Sequence, residues 1–368
     1  MITITSKMDL PIELWGEILQ KTRSIKMCDK LYDAFPNETQ RKLRATYESH
    51  KERISLKMII TFDNKISFYN GDCLMKEVPF QNIMAVKFVK NWNTPIGKRD
   101  CVVVGIRNGA VMFWDATTLD YIFLINIHST LGDIEFHPTK SIMLSVCMKM
   151  CGRKIKVWKF DENGEASNDV SFAVECLGEG KKYCYFHPTE PEIYVFASNY
   201  SHNPYHRKLT KLFFCNYDTT SISFSNRIDC FMYLNNYYTP LKINADASFE
   251  CIKYKNGKNY FCHFVISDLE INEIEVLSVC LYSVICDFIR VGADIYYYTN
   301  DNKYTVIYKQ TGDKYKVIYE TKYIESRLFY KNGFIAFVEK AELKYIDLET
   351  LSVEAFDVGE APVDFCVM

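Results

Sequence analysis

A mainly β chain, folded as a seven-bladed β-propeller behind a small α-helical segment, is what this sequence predicts. Three observations carry that reading. Aromatic residues make up 15% of the 368 residues, with 26 Tyr and 25 Phe, and flat rings pack well on a pleated surface. A short strand that ends in an aromatic and runs into an Asp, Asn or Gly turn recurs after residue 50. Apolar residues at helical spacing are confined to the stretch before residue 54.

The helical stretch comes first. In "MDLPIELWGEILQ" (8–20) the apolar residues fall in two rows, Leu10/Leu14/Ile18 and Trp15/Leu19. Asp9 can cap this helix, Pro11 suits its first turn, and Glu13 and Glu17 lie near the positive end of its dipole. A second helix is expected in "IKMCDKLYDAF" (25–35), with Met27, Leu31 and Phe35 on one stripe. A third, strongly charged, is expected over 36–54, capped by Asn37 or Thr39. Met8 could be the initiator as well as Met1, since "MITITSK" is short and polar.

Repeats organise the rest. The aromatic strand and its turn appear as "KISFYNGD" (65–72), "AVMFWDAT" (110–117), "KIKVWKFDENG" (154–164), "KLFFCNYDTT" (211–220), "NYFCHFVISD" (259–268), "KYTVIYKQTGD" (303–313) and "ELKYIDLET" (342–350). Their spacing is roughly 40–55 residues, the period of four-stranded propeller blades. Between them lies a second strand type: "MAVKFVK" (84–90), "LGDIEFHP" (131–138), "KYCYFHP" (182–188), "RIDCFMY" (227–233), "VICDFIR" (284–290) and "SRLFYKN" (326–332). Two of these end in Phe-His-Pro. A proline cannot donate to a ladder, so His137 and His187 read as turn residues rather than ligands.

The first repeat contains "ISLKMIITF" (54–62), "KISFYN" and "CLMKEVPF" (73–80), but no inner strand. The chain ends in "APVDFCVM" (361–368), which has the inner-strand pattern and no repeat of its own. The tail is therefore expected to complete the first blade over a propeller spanning 54–368, leaving no open edge for aggregation.

With Trp114-Asp115 closing "VMFWD" and Trp158 in "IKVWK", the repeats resemble the WD-repeat family. The other five repeats lack the Trp-Asp pair, and the family's Gly-His dipeptide is missing throughout. Residues 1–53, best at 9–19, resemble an F-box, whose pattern opens Leu-Pro-x-Glu and continues with Ile or Leu at helical spacing; Leu10, Pro11, Glu13, Ile18 and Leu19 match. The family's Val-Cys-Lys-x-Trp stretch is absent, and "LYDAFPNETQRKL" stands in its place. The alternative is that three small helices simply plug one face of the propeller.

An F-box ahead of a WD-type propeller implies a substrate receptor of a cullin ubiquitin ligase. The resemblance then implies that Leu10, Pro11, Leu14, Trp15, Ile18 and Leu19 dock a Skp-family adaptor, and through it a cullin. The propeller would hold a protein substrate and raise its effective concentration, making no bond itself. Two other readings stay open: a propeller scaffold without a ligase role, and a propeller enzyme with a loop-assembled site. Degenerate repeats behind a short F-box, in a chain rich in Lys, Asn, Ile and Tyr, resemble proteins of large amoeba-infecting DNA viruses, which implies the host cytoplasm and a host target.

Composition narrows the chemistry. The net charge is -2 and the pI near 6.4, so no field of one sign draws in nucleic acid or anionic lipid from a distance. The 14 Cys are scattered; Cys147 and Cys151 are the closest pair and no second pair completes a zinc spacing, so a reducing compartment and no metal are expected. No signal-peptide core and no run of 18 apolar residues appears, which reads as a soluble, cytoplasmic protein. GxGxxG, HExxH and GxSxG are absent, and "GEGKK" (178–182) lacks the first Gly and the Ser/Thr of a phosphate loop. No catalytic residue or cofactor is expected.

Binding has more support. With strands lettered a to d from the inside out, the WD family's layout puts the b–c and d–a loops on the face that meets partners. The longest b–c loop is "NYSHNPYHRK" (199–208), with Tyr205, His206 and Arg207 on one span, and Tyr and Arg are frequent interface anchors. Arg107, Lys149 and Arg153 fall in the matching loops of the second and third repeats, a basic rim for an acidic or phosphorylated protein segment. On the other face "KNWNTPIGKRD" (90–100) is expected to expose Trp92, in reach of the helices.

Overall fold

The computed structural model describes residues 16, 19, 25–54, 57–127, 130–147, 154–173, 182–198, 210–224, 241–244, 246, 248–255, 258–267, 270–279, 284–300, 304–322, 324, 328–331, 333–358 and 364–367. Gly16 and Leu19 are helical, and two helices follow, α1 (Ile25–Asp33) and α2 (Asn37–Ile54). Beyond them the described residues form strands that pair into seven four-stranded antiparallel sheets.

The first sheet holds β1 (Lys57–Thr61), β2 (Lys65–Asn70) and β3 (Cys73–Pro79). The second is β4 (Ile83–Thr94), β5 (Gly97–Ile106), β6 (Ala110–Asp115) and β7 (Tyr121–Asn126). The third is β8 (Leu131–Phe136), β9 (Ile142–Cys147), β10 (Lys154–Phe160) and β11 (Ala166–Ala173). The fourth is β12 (Lys182–Phe186), β13 (Glu192–Ser198), β14 (Thr210–Asn216) and β15 (Ser221–Phe224). The fifth is β16 (Leu241–Ile243), β17 (Phe249–Lys255), β18 (Lys258–Ser267) and β19 (Glu270–Val279). The sixth is β20 (Val284–Val291), β21 (Asp294–Asn300), β22 (Thr305–Thr311) and β23 (Lys314–Thr321). The seventh is β24 (Phe329–Lys331), β25 (Phe334–Glu339), β26 (Glu342–Asp347) and β27 (Val353–Asp357). The last strand, β28 (Asp364–Val367), returns to the first sheet and pairs with β1, Met58 opposite Val367 and Thr61 opposite Asp364.

Leading strands of successive sheets lie beside one another: β24 against β28, β28 against β4, β4 against β8, and β8 against β12. The core is accordingly divided into layers between sheets. One layer joins the second and third sheets through Trp92, Phe113, Phe136 and Phe160. Others join the third to the fourth, the first to the second, the seventh to the first, the sixth to the seventh, and the fifth to the sixth. The first, second, third, sixth and seventh sheets thus each have a buried layer on both faces, which explains why a middle strand such as "IMLSVC" in β9 is mostly apolar and buried at every position.

Trp92 departs from its expected exposure. It is fully buried, because β4 continues past Val89 as a bulge and Asn91 takes a left-handed backbone (φ 52°). The extra residue shifts the strand's parity and turns Trp92 inward onto Phe113, Phe136 and Phe160, with ring centroids 5.0–6.1 Å away. On α1 the buried residues are Ile25 and Cys28, whereas Met27 is half exposed. Neither Asn37 nor Thr39 is the cap of α2: Asn37 is already its first helical residue, and the first turn closes from Gln40 N–H onto the Pro36 carbonyl (2.9 Å). The Gln40 side-chain amide reaches back to the carbonyls of Tyr32 (3.1 Å) and Phe35 (3.0 Å), satisfying the end of α1.

His137 and His187 do sit in turns, and their rings organise them. His137 Nδ1 accepts the backbone N–H groups of Thr139 and Lys140, both at 3.1 Å; His187 Nδ1 accepts those of Thr189 (3.1 Å) and Glu190 (2.9 Å). The expected strand at 227–233 lies outside the described residues.

Candidate functional site

In a four-stranded antiparallel sheet the turns alternate between two ends. The a–b and c–d turns share one end; the b–c turn and the link to the next sheet share the other. The helices occupy the first end. Leu19, Ile25, Cys28, Phe35 and Leu43 form their small core, and Cys73, beside the c–d turn of the first sheet, packs against it. Ile25 N–H donates to Asp72 Oδ1 in that turn (3.1 Å), and Tyr47 and Lys51 of α2 both bond Asp29 of α1 (2.7 and 2.9 Å).

The second end of the same sheets carries an open cleft of about 950 Å³. Its walls come from the b–c turn of the first sheet (Asn64), the link between the first two sheets (Pro79–Asn82) and the b–c turn of the second (Ile106–Asn108), with Thr130 at the margin. The backbone holds these pieces in place. Phe80 N–H donates to the Asn64 carbonyl and Arg107 N–H to the Asn82 carbonyl, both at 2.9 Å, and Leu131 N–H donates to the Arg107 carbonyl at 3.0 Å. Asn82 has a left-handed backbone (φ 59°) that lets the link turn from β3 into β4.

Phe80 and Ile106 give the cleft an apolar floor, packed on the layer between the first two sheets. Its polar wall is rich in carboxamides. Asn108 Oδ1 accepts Ala110 N–H (3.0 Å), whereas the side chains of Asn64, Gln81 and Asn82 make no hydrogen bond among the described residues. Arg107 is the one charged group in the lining, exposed and without an ion pair among the described residues.

Other polar groups are committed to structure. Buried Glu250 pairs with Arg290 at 3.1 Å, between the fifth and sixth sheets. Glu339 accepts from Lys344 (2.5 Å), Tyr319 (2.7 Å) and Thr321; burial alone would raise its carboxyl, and these bonds override it and hold the group below the usual carboxylate range. Burial pushes the Cys101 and Cys215 thiols up to about 12, which removes them as nucleophiles at neutral pH. No cluster of three metal-ligating side chains occurs among the described residues, and none of their helices is long and apolar enough to cross a membrane.

Of the residues expected to contact an adaptor, Leu10, Pro11, Leu14, Trp15 and Ile18 lie outside the described residues. Leu19 is fully buried in the helical core, so in this chain it is a packing residue and not a surface contact. Of the expected substrate contacts, Lys149, Arg153, Tyr205, His206 and Arg207 lie outside the described residues, and Arg107 stands in the cleft. The carboxamide wall was missed by sequence reasoning, because its members are ordinary turn residues scattered over three connections.

No family model matches the chain, and no curated protein does. Solved structures do. The β-propeller domain of Cps50 (Swd1) from Myceliophteria thermophila matches with a TM-score of 0.51 at 11% identity, over 77% of this chain and 88% of that one. The dihydro-heme d1 dehydrogenase NirN, in complex with DHE, gives 0.52 at 11% identity over 85% and 75%. A functionally unknown protein from Desulfotomaculum acetoxidans gives 0.56 at 9% identity over 84% and 98%. At such identities the likeness is one of fold, and the fold that Cps50 shares with this chain is a β-propeller.

Proposed function

We propose that this chain is a non-catalytic receptor: a seven-bladed propeller, closed by β28, that holds a partner protein on its b–c face while its helical segment docks an adaptor from the opposite end. In its most specific form the adaptor is of the Skp family and the chain presents its partner to a cullin ubiquitin ligase. The observation that carries the reading is the division of labour between the two ends. The helices are tied to the c–d turn at Asp72 and Cys73, and the cleft around Arg107 opens at the other end of the same sheet. A bound adaptor would leave the cleft free.

The test is capture of a purified Skp-family adaptor by the full chain. Leu10, Pro11, Leu14, Trp15 and Ile18 are the proposed contacts, and a Leu14→Asp change should abolish capture while the sheet spectrum and melting temperature hold. Each apolar side chain buried there would contribute roughly 1.5–3 kcal/mol. Undiminished capture by the variant, or none by the native chain, rejects the adaptor role and leaves the propeller as a scaffold.

A further inference from the structure

We propose that the cleft between the first and second sheets binds an extended protein segment bearing an Asp or Glu, with the partner's carboxylate on Arg107, its backbone on the carboxamide wall and an apolar side chain on Phe80. This rests on the reading that the b–c face is the capture face, and it names what that face recognises.

The chemistry selects the ligand class. A carboxamide side chain offers one donor group and one acceptor, the same pair that a peptide unit presents. Asn64, Gln81 and Asn82 carry such pairs unused among the described residues, and Asn108 keeps its Nδ2. Groups like these read a chain's backbone with little regard to its side chains. Arg107 supplies the one charge, and no carboxylate lines the cleft to neutralise it. One guanidinium matches one carboxylate in a two-bond fork. A phosphorylated residue draws on clusters of arginines, and a nucleic acid on many cations; the lining offers a single cation.

Shape agrees. The volume of about 950 Å³ lies at the upper end of small-molecule sites, of roughly 300–1,000 Å³. Yet most of the lining is exposed rather than enclosing, with Ile106 its one buried member. A passing chain suits such a trough better than an enclosed metabolite does. Phe80 lines the cleft half-buried, its ring T-shaped against Trp114 at 5.9 Å, and the part left exposed is apolar surface for a neighbour of the acidic residue.

The experiment is selection of a random decapeptide phage library on the intact chain, followed by binding of the selected peptides in solution. Enriched peptides should share an Asp or Glu next to an apolar residue. Arg107→Ala should weaken them roughly tenfold, about the loss of one charge-assisted pair. Arg107→Glu should abolish binding, and replacing the peptide's acid by Lys should restore it on that variant alone. Arg107 is exposed, so neither change threatens the fold.

No enrichment, or enriched peptides indifferent to Arg107→Glu, overturns the proposal. So does Arg107-dependent binding of a phosphopeptide or a single-stranded oligonucleotide in place of the acidic peptide. Adaptor capture is scored separately with Leu14→Asp. A chain that binds acidic peptides but no adaptor refutes the ligase role and leaves this site standing.

Discussion

Ile25 donates its backbone N–H to the Asp72 carboxylate across 3.1 Å, and this bond joins the first turn of α1 to the c–d turn of the first sheet. An orphan N–H at a helix N-terminus is a good partner for a carboxylate, since the dipole adds to the hydrogen bond. Removing the acceptor strips α1 of that partner and loosens the helices from the propeller. Asp72→Ala should lower the stability of the helical unit by about 1–2 kcal/mol. Hydrogen exchange should then quicken over 25–54 and leave the strands of the second and third sheets unchanged.

Gly164 marks a contact between neighbouring sheets at the same end of the molecule. It lies in the c–d turn of the third sheet with φ 75°, and a Cβ there would fall 2.7 Å from the backbone of Thr94 and 2.8 Å from Pro95. Gly312 is also left-handed (φ 57°) but has open space around it. Gly312→Ala should therefore cost about 1 kcal/mol, the conformational penalty alone. Gly164→Ala adds a clash with backbone that cannot yield cheaply, and should cost about 2–4 kcal/mol. Thermal melts of the two variants side by side measure the difference.

The paired His turns predict an acid sensitivity. Burial, reinforced by Lys140 and His187, lowers the His137 pKa from its ordinary value near 6.5 to about 4; burial lowers that of His187 too. Both Nδ1 atoms accept backbone hydrogen bonds that a proton would displace. The unfolded chain then takes up protons first as pH falls. The stability contributed by neutral His137 is complete above about pH 6.5 and is lost progressively toward pH 4, by about 3 kcal/mol in all. His137→Asn keeps a turn acceptor without the titration. Denaturant midpoints at pH 7 and pH 4.5 should differ less for the variant than for the native chain.

The strands were legible because each repeats one physical solution: an apolar run ending in a ring, then a turn residue that stops it. The Phe-His-Pro turns were legible for the same reason, since Pro138 and Pro188 cannot continue a ladder. Trp92 was not, because a single bulge at Asn91 reverses which residues of β4 face inward, and nothing in "KNWNTP" announces it. Leu19 was expected as an adaptor contact from the F-box resemblance, but a helical pattern does not say which of two partners covers a given apolar residue, and here the helical core covers it. The cleft was invisible for a different reason. Asn64, Gln81, Asn82 and Asn108 are residues that turns choose for local geometry, and only the hydrogen bonds Phe80–Asn64 and Arg107–Asn82 bring them to one wall.

β28 offers the sharpest test of how the sheets are held. Its four residues pair with β1 in register from Met58–Val367 to Thr61–Asp364, and it stands between β24 of the seventh sheet and β4 of the second. Without it β1 becomes an edge whose inward side has lost its ladder, although Met58, Ile59 and Ile60 are fully buried. Truncation after Asp357 removes β28 and the stretch that leads to it. Exposing even part of three such side chains costs several times the roughly 1.5–3 kcal/mol of one, a large share of the roughly 5–15 kcal/mol that holds a typical domain. The truncated chain should melt at least 10 °C lower and, with β1 unpaired, self-associate in a concentration-dependent way. Adding a synthetic peptide of residues 358–368 should restore part of the melting temperature by refilling the place beside β1. A truncated chain that melts with the native one would show that the first sheet stands on three strands, and that the tail closes nothing.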